Sequence, residues 1–287
     1  VPMVMAWLID RGISQNNVPY IWKMGGLLLV LAAVSSLIVP QDPYSQDLGA
    51  ALQAPGAGHL FGTDRYGRDL FARVLVGGRT TIYASLCTVL LITGIGTILG
   101  VISGYLRGKT DTVLMRIADV FLAFPGIVFA IAVAGVLGGG LFNAVIALVC
   151  VSWPKYARLA RSQVLAMKEM PYLQAAKLSG SGNLKIMGKH ILPNIAGPIL
   201  VTAVLDIGTM IMEIAGLSYL GLGAKPPVPE WGSMMSEGRS MLQTAPWTIL
   251  TPGLGIFVTV VVFHLLGDAL RDVLDPKERK NTDENDR

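Results

Sequence analysis

Long stretches without a charged residue are the feature that most constrains this chain. Residues 80–106 and 120–154 contain no Asp, Glu, Lys or Arg, and each stretch exceeds the roughly 20 apolar residues that carry a helix across a bilayer. Only 15% of all residues are charged, against about a quarter in an ordinary soluble domain. The pattern predicts an all-α integral membrane protein, and it excludes a disordered chain, a disulfide scaffold and a nucleic-acid-binding protein.

The apolar stretches predict six membrane spans. The stretches are five and lie at residues 21–40, 80–106, 120–154, 191–212 and 240–267. The third stretch is too long for one helix, so we expect Gly138-Gly139-Gly140 to divide it into two spans, the first beginning near Thr112.

Basic residues accumulate between the fourth and fifth predicted spans. Residues 155–193 contain seven Lys or Arg and a single Glu. Cytoplasmic loops carry such an excess, so this loop and, after six crossings, both termini are predicted to be cytoplasmic. The predicted organisation is a cytoplasmic segment (1–20), a first span (21–40), an extracytoplasmic loop (41–79), a core membrane domain (80–266) with the loop 155–193, and a cytoplasmic tail (267–287).

Three glycines of the second span share one helix face. Gly96, Gly100 and Gly104 are spaced four apart, and small residues at that spacing let membrane helices pack closely. This face is either an interface with a partner subunit or a packing surface within the chain.

Features of known enzymes are incomplete in this sequence. Gly108-Lys109-Thr110 ends like a phosphate-binding loop, but Ser103 stands where that motif needs glycine and a membrane span precedes it instead of a strand. The three histidines are far apart, and no serine-nucleophile elbow or catalytic acid pair is present. We therefore assign no catalytic residue, no certain metal site and no cofactor to this chain.

The basic loop predicts two short helical pieces. Residues 172–180 have the pattern of a helix ending at Gly180, and a second helix follows Gly182, with Pro193 stopping or opening it. An amphipathic helix held below the membrane can press into a groove of another protein, or it can bind anionic lipid headgroups.

The loop also resembles a known signature. Gln174-Ala175-Ala176, Gly180 and Leu192-Pro193 have the spacing of the Glu-Ala-Ala…Gly…Ile-x-Leu-Pro loop of ATP-binding-cassette (ABC) importer permeases, with Gln and His190 at the Glu and Ile positions. The resemblance implies the type I ABC importer permease fold. It also implies that the loop forms a coupling helix seated in an ATPase subunit, through Gln174, Ala175, Ala176, Gly180, Leu192 and Pro193.

Three further stretches narrow the resemblance. Residues 61–69, 217–232 and 267–276 are similar to the C-type permease subunit of dipeptide, oligopeptide and nickel importers. That similarity implies a homologous partner permease, two ATPase subunits that bind ATP and Mg, an extracytoplasmic substrate-binding protein, and a place in the bacterial cytoplasmic (inner) membrane. ATP hydrolysis would then belong to the partners.

The predicted extracytoplasmic loops carry their own candidate residues. Asp64, Arg65, Arg68 and Asp69 place two acids and two bases around Gly67 and can pair locally, while Trp231 follows a stiff proline-rich run. The charges form either a structural ion-pair cluster or a contact with the substrate-delivering protein, and Trp231 would anchor a scaffold near the outer mouth.

The fifth span carries the cargo candidates. Asp206, Thr209, Met210 and Glu213 lie at i, i+3, i+4 and i+7, so they share one helix face. Carboxylates and a thioether suit a path for a divalent cation, but the acids could instead pair with Arg116 or cap a packed interface.

Residues 205–220 resemble the nickel branch more than the peptide branches, so we expect nickel, free or chelated, as the cargo. Dipeptides or oligopeptides are the alternative cargo. A self-contained channel or ion-driven carrier is the alternative from another class of protein.

Overall fold

The structure is a computed structural model that describes residues 18–39 and 41–274. Over these residues it consists of helices joined by turns, with one isolated bridge between Thr63 and Asp69. The helices are α1 (Val18–Ile38), α2 (Leu70–Leu106), α3 (Gly108–Leu122), α4 (Gly126–Val136), α5 (Leu141–Met167), α6 (Pro171–Leu178), α7 (Asn183–Tyr219), α8 (Trp231–Gly238) and α9 (Trp247–Leu274). Most of the predicted segment 1–20, and the tail beyond residue 274, lie outside the described residues.

Three of the described helices, α2, α7 and α9, are each long and apolar enough to cross a membrane. Helices α3 and α4 pass the same test together, but they meet at 89°. Pro125 precedes α4 and cannot continue α3, because it lacks an N–H and disfavours a helical residue before it. The third predicted span is therefore bent and not one straight helix from Thr112. The described residues hold up to four spans by this test, so six stays a prediction.

The turn predicted at Gly138-Gly139-Gly140 is confirmed. The three residues have φ angles of 85°, 69° and 102°, a region that residues with a Cβ rarely adopt. Asn143 Nδ2 donates hydrogen bonds of 2.8 and 2.7 Å to the carbonyls of Leu137 and Gly139, which fastens the turn to the start of α5.

The glycine face of α2 packs against α5 of the same chain. A Cβ on Gly96 would lie 2.5 Å from the carbonyl oxygen of Trp153, and one on Gly100 would lie 2.3 Å from that of Ala157. Gly104 meets α5 further along, where its Cβ would lie 3.1 Å from the carbonyl oxygen of Arg161. The glycines therefore bring two backbones of this chain into contact, and the structure favours internal packing over a partner interface.

The remaining helices cover the α2–α5 pair. Helix α7 packs against α2, α5 and α9, while α8 lies on α7 and α9, and α1 lies against α2 and α9. We call the end that carries α6 the inner end and the end that carries α8 the outer end. Fully buried isoleucines along α7 fill the core: Ile191, Ile195, Ile211 and Ile214.

The α2–α5 contact predicts opposite effects of one methyl group at two glycines of α2. Gly100→Ala should lower the stability of the protein by about 1–3 kcal/mol, because the methyl group would overlap the backbone of Ala157. Gly94→Ala should be neutral or stabilising, because no atom lies within 4 Å of the place where its methyl group would stand and alanine favours the helix. Thermal unfolding of the detergent-purified protein measures both, and equal midpoints would contradict the packing.

Candidate functional site

Helix α6 is an eight-residue helix between α5 and α7. Pro171 stands in its first turn, where a missing N–H costs no helical hydrogen bond. Leu173 is buried in the main core and holds one side of the helix to the membrane domain. Gln174 and Ala175 point away from the core and are exposed, and Ala176 is half-buried. The predicted helix is therefore present, with two of its three signature residues accessible.

Gly180 ends α6 in the way its position predicts. It has φ +81°, its N–H donates to the carbonyl of Lys177 at 3.1 Å, and the N–H of Ser181 donates to that of Ala176 at 3.1 Å. This pair of bonds is the Schellman arrangement, in which glycine satisfies the last helical carbonyls. Gly182, by contrast, has φ −67°, which any residue adopts.

Two leucines beside this turn are almost fully exposed. Leu178 is 90% exposed at the end of α6, and Leu184 is 82% exposed at the start of α7. Large apolar side chains so exposed mark interaction sites when they form a patch. We call Gln174, Ala175, Leu178 and Leu184 the coupling surface.

Leu192 and Pro193 lie inside a continuous helix. Residues Ile186–Ile191 form a π-helical turn, and α7 continues from there to Tyr219. Pro193 stands in the first turn of the α-helical segment Leu192–Tyr219, directly after the π-helical turn, so it opens that segment as predicted. Both side chains are exposed at the inner end.

The loop is fastened to the inner end of α2. Lys168 Nζ donates to the carbonyl of Tyr105 at 2.6 Å, and the Tyr105 hydroxyl donates to Asn183 Oδ1 at 3.1 Å. Burial lowers the pKa of Lys168, and the nearby cations Arg107 and Lys177 lower this pKa further. The residues on both sides of α6 are therefore tied to one end of α2.

Ion pairs join α3 to α5 at the same end. Arg161 donates to both carboxylate oxygens of Asp111, at 2.6 and 2.7 Å, and Arg158 donates to Asp119 at 2.5 Å. Arg116, the partner considered for the acids of the fifth span, is 81% exposed and lies 4.0 Å from Asp119.

Asp206 is paired with α5 instead. Its carboxylate is 6% exposed and accepts hydrogen bonds from Lys155 Nζ at 2.6 and 2.8 Å and from the Tyr156 hydroxyl at 2.8 Å. Of the other candidates on this face, Met210 is buried in the core, while Thr209 and Glu213 are half-buried. The four residues do share a helix face, but Asp206 is already neutralised by an ammonium group.

Lys155 and Tyr156 are site residues that the sequence patterns do not single out. The charge-free stretch ends at Pro154 and so places Lys155 first in the predicted cytoplasmic loop, whereas α5 continues to Met167. A usable signal is present, because Lys155, Arg158 and Arg161 recur every three residues as they would on one side of a helix.

A buried ion cluster lies at the outer end. Arg68 is 2% exposed and bridges Asp64 and Glu237, each at 2.5 Å. Arg73 is equally buried and lies 3.6 Å from Asp64 and 3.8 Å from Glu237. The local pairing predicted for Asp64 and Arg68 is confirmed, and Arg73 and Glu237 complete a cluster that ties the loop before α2 to α8.

Asp69 and Trp231 also serve the packing of the outer end. Asp69 caps α2 by accepting from the N–H of Ala72 at 2.8 Å, and its other oxygen lies 2.9 Å from His59 Nδ1. Trp231 is buried and donates from Nε1 to the carbonyl of Val74 at 2.8 Å. These contacts favour the structural interpretation of the predicted outer residues.

Two neighbouring arginines test the importance of the outer cluster. Arg68→Gln should cost about 3–5 kcal/mol of stability, because it leaves two buried carboxylates without their main partner. Arg65→Gln, in the same turn, should cost little, because Arg65 is exposed and stacks only on Tyr66. The yield and unfolding midpoint of the purified variants report the difference. Indistinguishable midpoints would mean that the cluster contributes nothing.

Among residues 18–39 and 41–274, no group of three or more His, Cys, Asp or Glu side chains is arranged to hold a metal ion. Gly108-Lys109-Thr110 opens α3 directly after α2, so a helix and not a strand precedes it.

Comparison with known proteins identifies relatives over most of the chain. A dipeptide transport system permease protein DppC of Alkalihalophilus pseudofirmus is 44% identical over 86% of this chain and 82% of its own length. A probable D,D-dipeptide transport system permease protein DdpC of Escherichia coli is 44% identical over 91% and 92%. A glutathione transport system permease protein GsiD of Pectobacterium atrosepticum is 43% identical over 88% and 84%.

Among solved structures, inward-facing conformations of the MetNI methionine ABC transporter share the fold, with a TM-score of 0.57 and 18% identity over 71% of this chain and 96% of that chain. The type I ABC importer permease fold is thereby confirmed. Nickel as cargo is not supported, because these relatives are named for dipeptides and glutathione.

The named relatives and a matching family model also decide between the classes of protein considered above. The chain is a multi-pass protein of the inner membrane and a transport subunit of an ABC importer, whose ATPase is a separate subunit, and not an enzyme or a self-contained channel. Residues 96–280 match the family model, and the chain belongs to the family of binding-protein-dependent transport system inner membrane components.

Proposed function

We propose that this chain forms one half of the translocation path of an importer for short peptides and couples that path to ATP hydrolysis by partner subunits. A homologous permease supplies the other half, two ATPases bind ATP and Mg at the inner end, and a substrate-binding protein delivers the cargo at the outer end. The similarity over nearly the whole chain to permeases named for dipeptides and glutathione is the observation that carries the choice of cargo.

The coupling surface supports the proposed link to the ATPase. Helix α6 presents Gln174 and Ala175 to solvent, with the exposed Leu178 beside them, while Leu173 roots the helix in the core. A partner that moves this surface therefore moves a helix that is packed into the membrane domain. The basic residues around it suit a cytoplasmic position beside the membrane.

The fastening of the loop supports transmission of that motion. Lys168 and Asn183 flank α6 and both hydrogen-bond to Tyr105 at the end of α2. Because α2 and α5 are in backbone contact along the glycine face, a displacement of α6 is passed to both helices together. Closure of the ATPase pair would thus rock the spans as a unit, opening the path alternately to the two sides.

The state of Asp206 supports a peptide over a divalent cation. Its two carboxylate oxygens accept hydrogen bonds from Lys155 and Tyr156, and Met210 is buried. A cation would have to displace an ammonium group already bound to the carboxylate, whereas a cargo with its own charged groups can use both members of the pair.

Gly180 provides a test of the coupling. Gly180→Val should reduce ATP-dependent uptake about 5- to 30-fold, the equivalent of the roughly 1–2 kcal/mol that a side chain costs in the left-handed region. Gly182→Val is the matched control, since φ −67° accepts valine and nothing lies within 4 Å of its Cβ position.

Uptake by the reconstituted importer and co-purification of the ATPases with the permease pair measure the effect of the two substitutions. We expect Gly180→Val alone to weaken both. If the two variants transport and assemble equally well, the geometry of the α6 turn is not part of the coupling.

The cargo is tested by uptake into cells that express the whole importer and lack other peptide carriers. We expect radiolabelled L-alanyl-L-alanine or glutathione to accumulate, and radiolabelled Ni²⁺ to accumulate no faster than in cells without the importer. The control strain carries the importer with an ATPase subunit that cannot hydrolyse ATP. Nickel uptake that depends on the importer, without uptake of either peptide, would refute the peptide proposal.

A further inference from the structure

A polar stripe runs along one face of α7. Thr202, Asp206, Thr209 and Glu213 are spaced four, three and four residues apart, so they follow the same side of the helix. Thr209 and Glu213 are half-buried, whereas most of the surrounding residues of α7 are apolar. A stripe with two carboxylates inside a membrane span does not face lipid, because the bilayer does not solvate charge.

Lys155 stands beside this stripe at membrane depth. It is bound to Asp206, which lies 13 residues before Tyr219 and so about 20 Å from the outer end of α7, a helix long and apolar enough to cross a membrane. Its side chain is 53% exposed in this chain even though it is bound to the buried Asp206. Ionisable groups within membrane spans face the interior of the helix bundle or a water-filled cavity and not lipid, so this exposed side is a candidate lining of the translocation path.

The geometry leaves part of the ammonium group available. A lysine ammonium has three N–H donors, and Lys155 directs its bonds of 2.6 and 2.8 Å to the two oxygens of one carboxylate. Tyr156 donates a further hydrogen bond to Asp206, so the carboxylate keeps a partner when Lys155 shifts. Within the described part of the chain, the remaining donor of Lys155 has solvent as its neighbour.

Glu213 offers the opposite charge on the same face. It is seven residues from Asp206 towards the outer end, which separates the two positions by about 10.5 Å along α7. It is half-buried on that face. A lysine and a glutamate thus lie along one side of α7, with the glutamate nearer the outer end.

We propose that Lys155 and Glu213 form a binding site for the two charged ends of a short peptide, with Lys155 binding the α-carboxylate and Glu213 the α-ammonium group. Lys155 is held at Asp206, whose position is about 10.5 Å along α7 from that of Glu213, and two or three extended residues span about 7–11 Å. The site rests on the proposed function as a peptide importer, and it adds to that function a preference for peptides whose ends are both charged.

The first experiment uses the assembled importer and L-alanyl-L-alanine. Lys155→Met should lower the initial rate of dialanine uptake at least tenfold, because it removes the donor for the cargo carboxylate. Lys109→Met, an exposed lysine on α3 outside the path and the coupling surface, should leave uptake unchanged. Wild-type protein that fails to take up dialanine would count against the proposed peptide cargo. Normal uptake by Lys155→Met would overturn the binding site alone.

A charge exchange separates a cargo contact from a structural ion pair. Lys155→Asp combined with Asp206→Lys restores the attraction between α5 and α7 but reverses the charge that faces the path. We expect the double variant to recover co-purification of the partner permease and the ATPases, and not to recover dialanine uptake. Recovery of uptake would show that the pair is only structural, and would overturn the proposal.

A direct binding measurement does not depend on the assembly of the double variant. Saturation-transfer NMR on the permease–ATPase complex without its binding protein should detect dialanine on the wild-type complex. The signal should fall at least fivefold with Glu213→Gln, and likewise when the probe is dialanine amide, which lacks the carboxylate. An equal signal for dialanine and its amide, or none with wild-type protein, would overturn the site.

Discussion

The backbone contact between α2 and α5 is the interaction on which the other features depend. Lipid tails are as apolar as the side chains of these helices, so hydrophobic burial does little to hold membrane helices together and close van der Waals packing must do so. Gly96 and Gly100 permit that packing because any Cβ there would overlap the carbonyls of α5. The position of α5 in turn sets the place of Lys155, which it carries, and of α6, which follows it.

Ion pairs define the arrangement of the helices at three levels. Arg68 joins Asp64 to Glu237 at the outer end, Lys155 joins α5 to Asp206 of α7, and at the inner end Arg161 joins α5 to α3. Buried ion pairs add little net stability, since desolvation offsets their attraction, but an unpaired buried charge is costly. Each pair therefore penalises displacement of its helices, and of these three bridging residues Lys155 is the most open to solvent.

Local signals in the sequence predict the features that depend on a few consecutive residues. The end of α6 at Gly180 and the turn at Gly138-Gly139-Gly140 require positive φ angles, which the presence of glycine indicates directly. The length of a charge-free stretch does not predict the bend before α4, because a continuous apolar stretch indicates a position in the membrane but not whether the helix is straight. Pro125 is the residue that marks the bend. The expectation of nickel as cargo is left unsupported for a similar reason, since the acids of one helix do not reveal their partners on the next.

The sequence by itself determined that this chain is a helical membrane protein, where its glycine turns lie, and which loop resembles an ATPase-coupling segment. These properties follow from residue composition and short-range spacing, which act within a single helix or turn. Only the tertiary structure decided that the glycine face of α2 packs against α5 and that Asp206 is bound by Lys155. It also decided that Arg68 and Arg73 both lie beside the carboxylates of Asp64 and Glu237. Those pairings join residues up to 169 positions apart, and they exist only once helix packing has brought the side chains together.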